Sequence, residues 1–270
     1  MKSGTNWLGS LLNSHPHVEC AGEFHFHEVI DRILASDLSL KSVDQETYHQ
    51  SARNAAEDMI RRCMTDAVAS HVRVIGDRTP HTVAPLTLRD AKYIVIMRDP
   101  RDVLVSRAFH LYNNPTVHRF FNRYPELKLN LRKFQDNPWF FKENPATLLE
   151  HEVLVKESVT LWKEHVRTDE QTIQHHPNLQ CARVRYEDLH SDTAAQRNNL
   201  LKFLGVDPNL ATPVEGEIRP GFQQERPHDF FRKGAVGDWK NYFTDPVKNW
   251  FKQVAGPELI QFGYAKGLAW

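Results

Sequence analysis

The chain has 270 residues, of which 40% are hydrophobic and 25% are charged, a size and composition that predict one domain over residues 1–270. The 34 Lys and Arg residues are balanced by 34 Asp and Glu residues, whereas proteins that bind nucleic acid are usually more basic. No stretch approaches the ~20 apolar residues that cross a bilayer. Charge and hydropathy therefore exclude a general polyanion binder and a membrane-spanning chain.

The number and spacing of the cysteines indicate the cellular compartment. Cys20, Cys63 and Cys181 are too widely spaced for a zinc motif, and their odd number argues against a disulfide framework. A reducing compartment fits this usage best. The first residues also show no apolar signal segment. We therefore expect a cytoplasmic protein.

Helical and strand patterns alternate along the chain. A helix is predicted from Thr5, and apolar residues over 52–68 recur at helical spacing. Runs rich in Val, Ile or Tyr predict buried strands over 72–76, 93–97 and 181–186. Further helices are predicted over 155–166 and after Ser191, which we interpret as an N-cap. Strands that alternate with helices imply a parallel sheet covered on both faces.

Two segments lack a clear period. Residues 113–144 are rich in Asn, Pro, Phe and Arg, and we predict an excursion over the site that serves as a lid or an acceptor wall. Residues 215–237 carry several Arg and Lys residues and are predicted to form a loop.

The first candidate anion site is the run Lys-Ser-Gly-Thr-Asn-Trp at residues 2–7. A helix that begins near Thr5 points free N–H groups and a partial positive charge at a phosphate. Gly4 lets the backbone approach closely, and Lys2 adds a cation. The run is not a Walker A loop, because Met1 stands where that motif requires glycine. A simple capped helix start is the alternative.

The second candidate site begins at Arg98, which directly follows the predicted strand 93–97. Ligands bind at the carboxyl ends of parallel strands, and Pro100 suits the first turn of a following helix. Arg98 and Ser106 are eight residues apart, so both side chains are candidates for one anion. The alternative is an ordinary surface ion pair between Arg98 and Asp102.

The third candidate site is a pair of adjacent cations, Arg232 and Lys233, followed by Gly234. Two cations beside an unobstructed backbone N–H form a compact anion clamp. The alternative is a basic loop next to a buried Trp239.

Together these three sites resemble the PAPS-dependent sulfotransferase family. Residues 2–7 are similar to its 5′-phosphosulfate loop K-S-G-T-x-W, residues 98–106 to its 3′-phosphate motif, and residues 232–244 to the R-K-G-x-x-G-D-W-K-x-x-F-T signature of cytosolic members. The resemblance implies a P-loop-like α/β fold with a parallel central sheet flanked by helices. It also implies in-line transfer of a sulfuryl group from 3′-phosphoadenosine-5′-phosphosulfate (PAPS) to a hydroxyl or amine of a small-molecule acceptor.

The resemblance further implies a role for each motif residue. Lys2 would bridge the 5′-phosphate and the departing oxygen, Trp7 would stack on adenine, and Tyr186 would contact the cosubstrate. The remaining 5′-phosphate ligands would be Ser3, Gly4, Thr5 and Asn6. The 3′-phosphate ligands would be Arg98, Ser106, Arg232, Lys233 and Gly234. No metal is implied, and we interpret His25 and His27 as surface histidines.

The general base departs from the cytosolic pattern. Arg78 stands where those enzymes place a His, and a guanidinium with a pKa above ~12 takes no proton. Another branch, which includes protein-tyrosine and some carbohydrate and bacterial enzymes, uses a Glu shortly after the first helix. That resemblance implies Glu23 as the base, tuned by burial, with Arg78 at the sulfuryl group. His25 and Asp77 are rival bases, and helix capping over 24–34 is the alternative role for Glu23.

Two further departures concern the N-terminus and assembly. The family has a buried strand before the phosphate loop and this sequence has none, so we expect either a late start or a sheet that lacks a strand. Asp245 and Asn249 replace two residues of the family's dimer segment, which favours a monomer or a different dimer. The alternatives to a small-molecule enzyme are a protein-tyrosine or glycan sulfotransferase and a non-catalytic nucleotide-binding module; a nucleotide kinase is disfavoured by the missing Walker motif.

Overall fold

The structure is a computed structural model of the chain, and it describes residues 2–35, 44–66, 68–84, 88, 90–115, 120–215 and 233–270. Parallel strands alternate with helices in it, which confirms the predicted α/β class. The strands are β1 (Val18–Gly22), β2 (Val74–Asp77), β3 (Lys92–Met97) and β4 (Gln180–Arg185). The helices are α1 (Thr5–Leu12), α2 (Phe26–Leu34), α3 (Gln45–Thr65), α4 (Pro100–Asn113), α5 (Phe120–Arg123), α6 (Lys128–Asp136), α7 (Phe140–Glu143), α8 (Glu152–His175), α9 (Tyr186–Ser191), α10 (Thr193–Leu204) and α11 (Asp245–Gln261). Within these ranges no helix combines the length and apolar character needed to cross a membrane.

The four strands form two parallel pairs instead of one continuous sheet. β1 pairs with β2, and Gly22 lies opposite Asp77 at their carboxyl ends. β3 pairs with β4, and Met97 lies opposite Arg185 at theirs. Over the described ranges β2 and β3 share no ladder, and a cavity is lined both by β3 and by the segment that follows β2. The described strands therefore form two separate two-stranded parallel sheets where the sequence predicted one.

β1 was not predicted from the sequence. The polar Glu19 interrupts its apolar run, and the register with β2 is irregular between Glu19 and Gly22. The predicted strand over 72–76 begins two residues later, at Val74. The N-cap proposed at Ser191 is wrong by one residue, because the side chain of Asp192 accepts the N–H of Ala195 at the start of α10.

The largest core lies between α4, α8 and α11 and includes the segment predicted to be a lid. That segment contains the short helices α5 to α7, and Phe121, Phe134 and Phe141 on them are buried among the core residues. Aromatic side chains contribute large buried areas and edge-to-face contacts, so their burial fixes the segment in place. Residues 120–144 are thus part of the packed body, and their role as a lid or acceptor wall stays a prediction.

A buried arginine ties α4 to the C-terminal signature. The Arg101 guanidinium forms a bidentate contact with Asp99, with Nη2 2.7 Å from Oδ2. It also lies 4.0 Å from the ring centroid of Trp239 and 4.8 Å from that of Trp270. A cation between two indoles gains from both ring faces. Trp239 is buried, as the alternative interpretation of its segment expected, and it contacts Arg101 of the helix that follows β3.

Candidate active site

The candidate site lies at the carboxyl ends of both strand pairs, where parallel sheets place their ligands. Glu23 and Arg78 directly follow the paired ends of β1 and β2, and the N–H of Arg78 donates to the carbonyl of Gly22 at 3.0 Å. Arg98 and Tyr186 directly follow the paired ends of β3 and β4. Strand register therefore places the candidate side chains in two groups, one at the end of each strand pair.

The phosphate loop at residues 2–7 contacts both of these groups. The Oδ1 of Asn6 accepts a hydrogen bond from Arg78 Nη1 at 2.8 Å, which joins the loop to the first pair. Gly4 joins it to the second pair, because a Cβ at this position would lie 2.6 Å from Cδ2 of Tyr186. Gly4 has a φ of 99° and is the N-cap of α1, which begins at Thr5 as predicted.

Lys2 is a half-buried cation in this loop. Burial is the largest cause that lowers the pKa of its ammonium to about 8, and Arg107 lowers it further. The carboxylate of Glu23 acts in the opposite direction and raises this pKa. An ammonium with such a pKa is mostly charged at neutral pH, so it can stabilise developing negative charge while it remains sensitive to alkaline pH.

Glu23 lies close enough to affect the pKa of Lys2, but its side chain is exposed, whereas the sequence interpretation expected it to be buried. The predicted alternative of helix capping is also wrong, because α2 begins at Phe26 with His25 as its N-cap. His25 is exposed as well, whereas His27 is buried, which corrects its interpretation as a surface histidine.

The rival base Asp77 has a positioning contact on one oxygen. Its Oδ1 accepts the N–H of Phe24 at 3.2 Å and the N–H and hydroxyl of Thr79 at 2.9 and 2.7 Å. Its Oδ2 is buried and has no hydrogen-bond partner among the described residues. Asp77 thus fixes the backbone next to Glu23 through Oδ1, while its Oδ2 accepts no hydrogen bond from the described residues.

On the second side of the site, Tyr186 and Arg98 hold the loop that follows residue 232. The Tyr186 hydroxyl donates to the carbonyl of Gly234 at 2.6 Å, and Arg98 Nη2 donates to the carbonyl of Ala235 at 2.8 Å. The Arg98 guanidinium lies 4.3 Å from the centre of the Tyr186 ring. Burial is the main cause that raises the pKa of Tyr186, so the phenol keeps its proton as a hydrogen-bond donor.

Asp102 anchors the same loop and was missed as a functional residue. Its two carboxylate oxygens accept the backbone N–H groups of Gly237 and Trp239 at 2.7 and 2.9 Å. Its Oδ2 lies 4.0 Å from Arg98 Nη2, and the pair is buried, so the predicted surface ion pair is wrong in its location. Burial is the largest influence on Asp102 and raises its pKa, against the contributions of Arg98 and the two N–H groups. The i, i+4 spacing of Arg98 and Asp102 was the available signal.

Four other predicted ligands have different placements. Ser106 lies two helical turns along α4 and is half-buried. Lys233 forms an ion pair with Asp238 at 2.7 Å. Trp7 is only 2% exposed and makes a T-shaped contact with Tyr186 at 5.3 Å between ring centroids, so its indole is buried against protein in this structure. Arg232 lies outside the described residues.

A cavity of about 120 Å³ adjoins the phosphate loop. Ser3, Thr5 and Arg107 contribute polar groups to its lining, and the Arg107 Nε donates to the hydroxyl of Ser158 at 3.1 Å. Burial lowers the pKa of Arg107, opposed by the nearby Glu157. Sequence reasoning missed Arg107, although it directly follows the motif residue Ser106. Apolar walls are supplied by Ile94, Ile96, Val103, Trp162 and Val166.

Comparison with known proteins found similar sequences among sulfotransferases. The chain is 23% identical to the amine sulfotransferase of Oryctolagus cuniculus, over 97% of this chain and 79% of the relative. It is 23% identical to cytosolic sulfotransferase 1 of Danio rerio, over 94% of this chain and 78% of the relative. Among solved structures, mouse sulfotransferase SULT7A1 in complex with PAP gives a TM-score of 0.49 at 19% identity, covering 96% of this chain and 81% of that one.

The family match covers nearly the whole sequence. The model of the family described as the sulfotransferase domain matches residues 1–263. This span contains the phosphate loop, both strand pairs and the loop held by Tyr186 and Asp102. The chain therefore belongs to the sulfotransferase family.

Proposed function

We propose that this chain transfers a sulfuryl group from PAPS to a hydroxyl or amine of a small-molecule acceptor by in-line displacement. The family match supports an enzyme that transfers sulfate, and the rabbit relative is an amine sulfotransferase. The match over residues 1–263 supports one sulfotransferase domain, and the name of the zebrafish relative supports a cytoplasmic location.

One observation carries the proposal: Tyr186 touches two loops that are each suited to a phosphate. On one side of its ring lies Gly4 of the phosphate loop, and on the other its hydroxyl reaches the carbonyl of Gly234. Lys2 and the N-terminus of α1 supply positive charge on the first side, while Arg98 and Lys233 supply it on the second. A nucleotide with both a 5′- and a 3′-phosphate can engage both sides at once.

The chemistry follows from where charge develops. The acceptor oxygen or nitrogen forms a bond to sulfur while the bond from sulfur to the bridging oxygen breaks. The electron pair goes to that oxygen, where Lys2 would supply positive charge, and Arg78 would meet the sulfuryl oxygens. Positioned cations stabilise such a transition state more than the ground state. The residues that would hold the 5′-phosphate are Ser3, Gly4, Thr5 and Asn6.

The acceptor must lose a proton, and we assign that proton to Glu23. Its carboxylate follows β1 directly and is close enough to Lys2 to affect the pKa of that ammonium. His25 and Asp77 are the rival groups at this end of the first strand pair. General-base loss typically reduces the rate by ~10²–10⁴.

The test uses isothermal titration calorimetry on the full chain. It compares the binding of 3′-phosphoadenosine-5′-phosphate (PAP), the desulfated product, with the binding of ADP, which lacks the 3′-phosphate. We expect PAP to bind more tightly by about 10–100-fold, because each charge-assisted hydrogen bond to the 3′-phosphate contributes ~1.5–3 kcal/mol. Arg98→Met should reduce the ratio of the two affinities. Arg183→Met is the matched control, because Arg183 lies on β4 but pairs with Glu170 at 2.9 Å. Equal affinity of the native chain for PAP and ADP would contradict the proposal.

A further inference from the structure

A row of histidines lies beside the candidate site. The ring centroids of His25 and His27 are 5.7 Å apart, and His27 stacks on His81 at 4.0 Å with an interplanar angle of 26°. His81 in turn lies 6.2 Å from His165. These rings come from the start of α2, the segment after β2 and α8, so the fold brings together groups that are distant in sequence.

We propose that His25, His27 and Glu28 form a binding site for a divalent transition metal ion of the zinc class. One ligand atom from each residue lies within 4.8 Å of the others, and His25 Nδ1 lies 4.0 Å from Glu28 Oε1. In a tetrahedral zinc site, bonds of about 2.0–2.2 Å hold neighbouring ligand atoms roughly 3.3–3.5 Å apart. Side-chain movements of about 1 Å would therefore bring the three ligand atoms to the spacing that a bound ion requires.

The state of His27 supports this assignment. The residue is only 8% exposed, and its Nδ1 is buried without a hydrogen-bond partner among the described residues. An unpartnered buried polar atom destabilises the folded protein by the cost of removing it from water. His25 and Glu28, by contrast, are exposed, so an ion can reach the site from solvent. The group therefore combines one buried residue that has an unpartnered nitrogen with two accessible ligands.

The ligand types select the class of metal. Two imidazole nitrogens and one carboxylate oxygen suit zinc, cobalt and nickel, whereas magnesium and calcium prefer oxygen ligands alone. The N-terminus of α2 disfavours a cation, but the carboxylates of Glu28 and Asp31 in its first two turns offset this effect. The backbone is also held in place, since the N–H of His25 donates to Thr79 Oγ1 at 3.1 Å.

The proposal is tested separately from the proposed sulfuryl transfer, because its readout is metal binding and none of its ligands is assigned to PAPS. The experiment uses the full chain without a histidine tag. Zinc binding is measured by calorimetry, and cobalt is substituted as a spectroscopic probe whose visible absorption reports tetrahedral coordination by nitrogen and oxygen. We expect one ion per chain, and His25→Ala and Glu28→Gln should each weaken zinc binding by at least about 10-fold.

Both of these variants change exposed residues, so they should fold, and circular dichroism checks that they do. The matched control is His175→Ala/His176→Ala, which removes two exposed histidines at the end of α8. It should leave zinc binding unchanged. The proposal is overturned if the native chain shows no saturable binding, if the two ligand variants bind zinc as the native chain does, or if the control loses the ion instead.

Discussion

Replacing Asp102 by Asn should loosen the loop that carries Lys233 and Gly234. The Asp102 side chain is buried, and each carboxylate oxygen accepts one backbone N–H, from Gly237 and Trp239. Asn presents one oxygen and one NH₂ group to the same two donors. One N–H of the loop is then left facing another donor, and the buried Arg98 loses the negative charge 4.0 Å away.

The magnitude follows from these contacts. A hydrogen bond to a charged acceptor contributes ~1.5–3 kcal/mol, and a neutral one ~0.5–1.5 kcal/mol. Asp102→Asn removes one charge-assisted bond and converts the other to a neutral one. We therefore expect the free energy of unfolding to fall by about 2–4 kcal/mol. Because the loop carries Lys233 and Gly234, PAP affinity should fall more than ADP affinity.

Urea denaturation and calorimetry measure the two effects. Asp245→Asn is the matched control, because its side chain is 89% exposed and its partner Lys248 is on the same helix. It should change the free energy of unfolding by no more than about 0.5 kcal/mol. If Asp102→Asn behaves like this control in stability and in the ratio of PAP to ADP affinity, then Asp102 does not anchor the loop.

Three further outcomes are expected. Lys2→Ala should reduce kcat more than it reduces PAP affinity. The charged form of Lys2 is the active one and its pKa is about 8, so kcat should fall as the pH rises through that value. Lys2→Arg should move this fall in kcat to higher pH. Glu23→Gln should lower turnover by ~10²–10⁴ while PAP binding stays intact, and near-normal turnover in a direct product assay would clear Glu23 as the base. Glu258→Gln should lower the free energy of unfolding by about 1–2 kcal/mol, because the buried Glu258 joins α11 to Lys163 and Arg167 on α8. Urea titrations measure this difference, and an unchanged free energy of unfolding would show that these contacts are energetically neutral.

Local signals were sufficient to predict the helix that begins at Thr5. Gly4 before a helical run identifies a helix N-terminus that can bind an anion, and both features lie within a few residues of each other. The strand before Arg98 was equally clear, because its apolar run is uninterrupted. These elements depend on short-range preferences that a sequence displays directly.

Features decided by tertiary packing could not be predicted in the same way. The helical segment over 120–144 has no single period because three short helices change direction within it, and its phenylalanines face one core from different elements. Asp102 was interpreted as a surface group because no local pattern reports burial. The contact between Tyr186 and Gly234 joins residues 48 positions apart, and it depends on where the loop returns to the strand ends.

Gly4 shows how two unrelated demands on one residue limit evolutionary drift. Its φ of 99° is a requirement of the backbone, while the missing Cβ makes room for the ring of Tyr186. A smaller residue at 186 would relieve the clash and leave the backbone strain, and a relaxed loop would do the reverse. A lineage that lost this glycine would need two coordinated replacements to recover, and each alone is harmful. We therefore expect almost no neutral substitution to be accessible at residue 4.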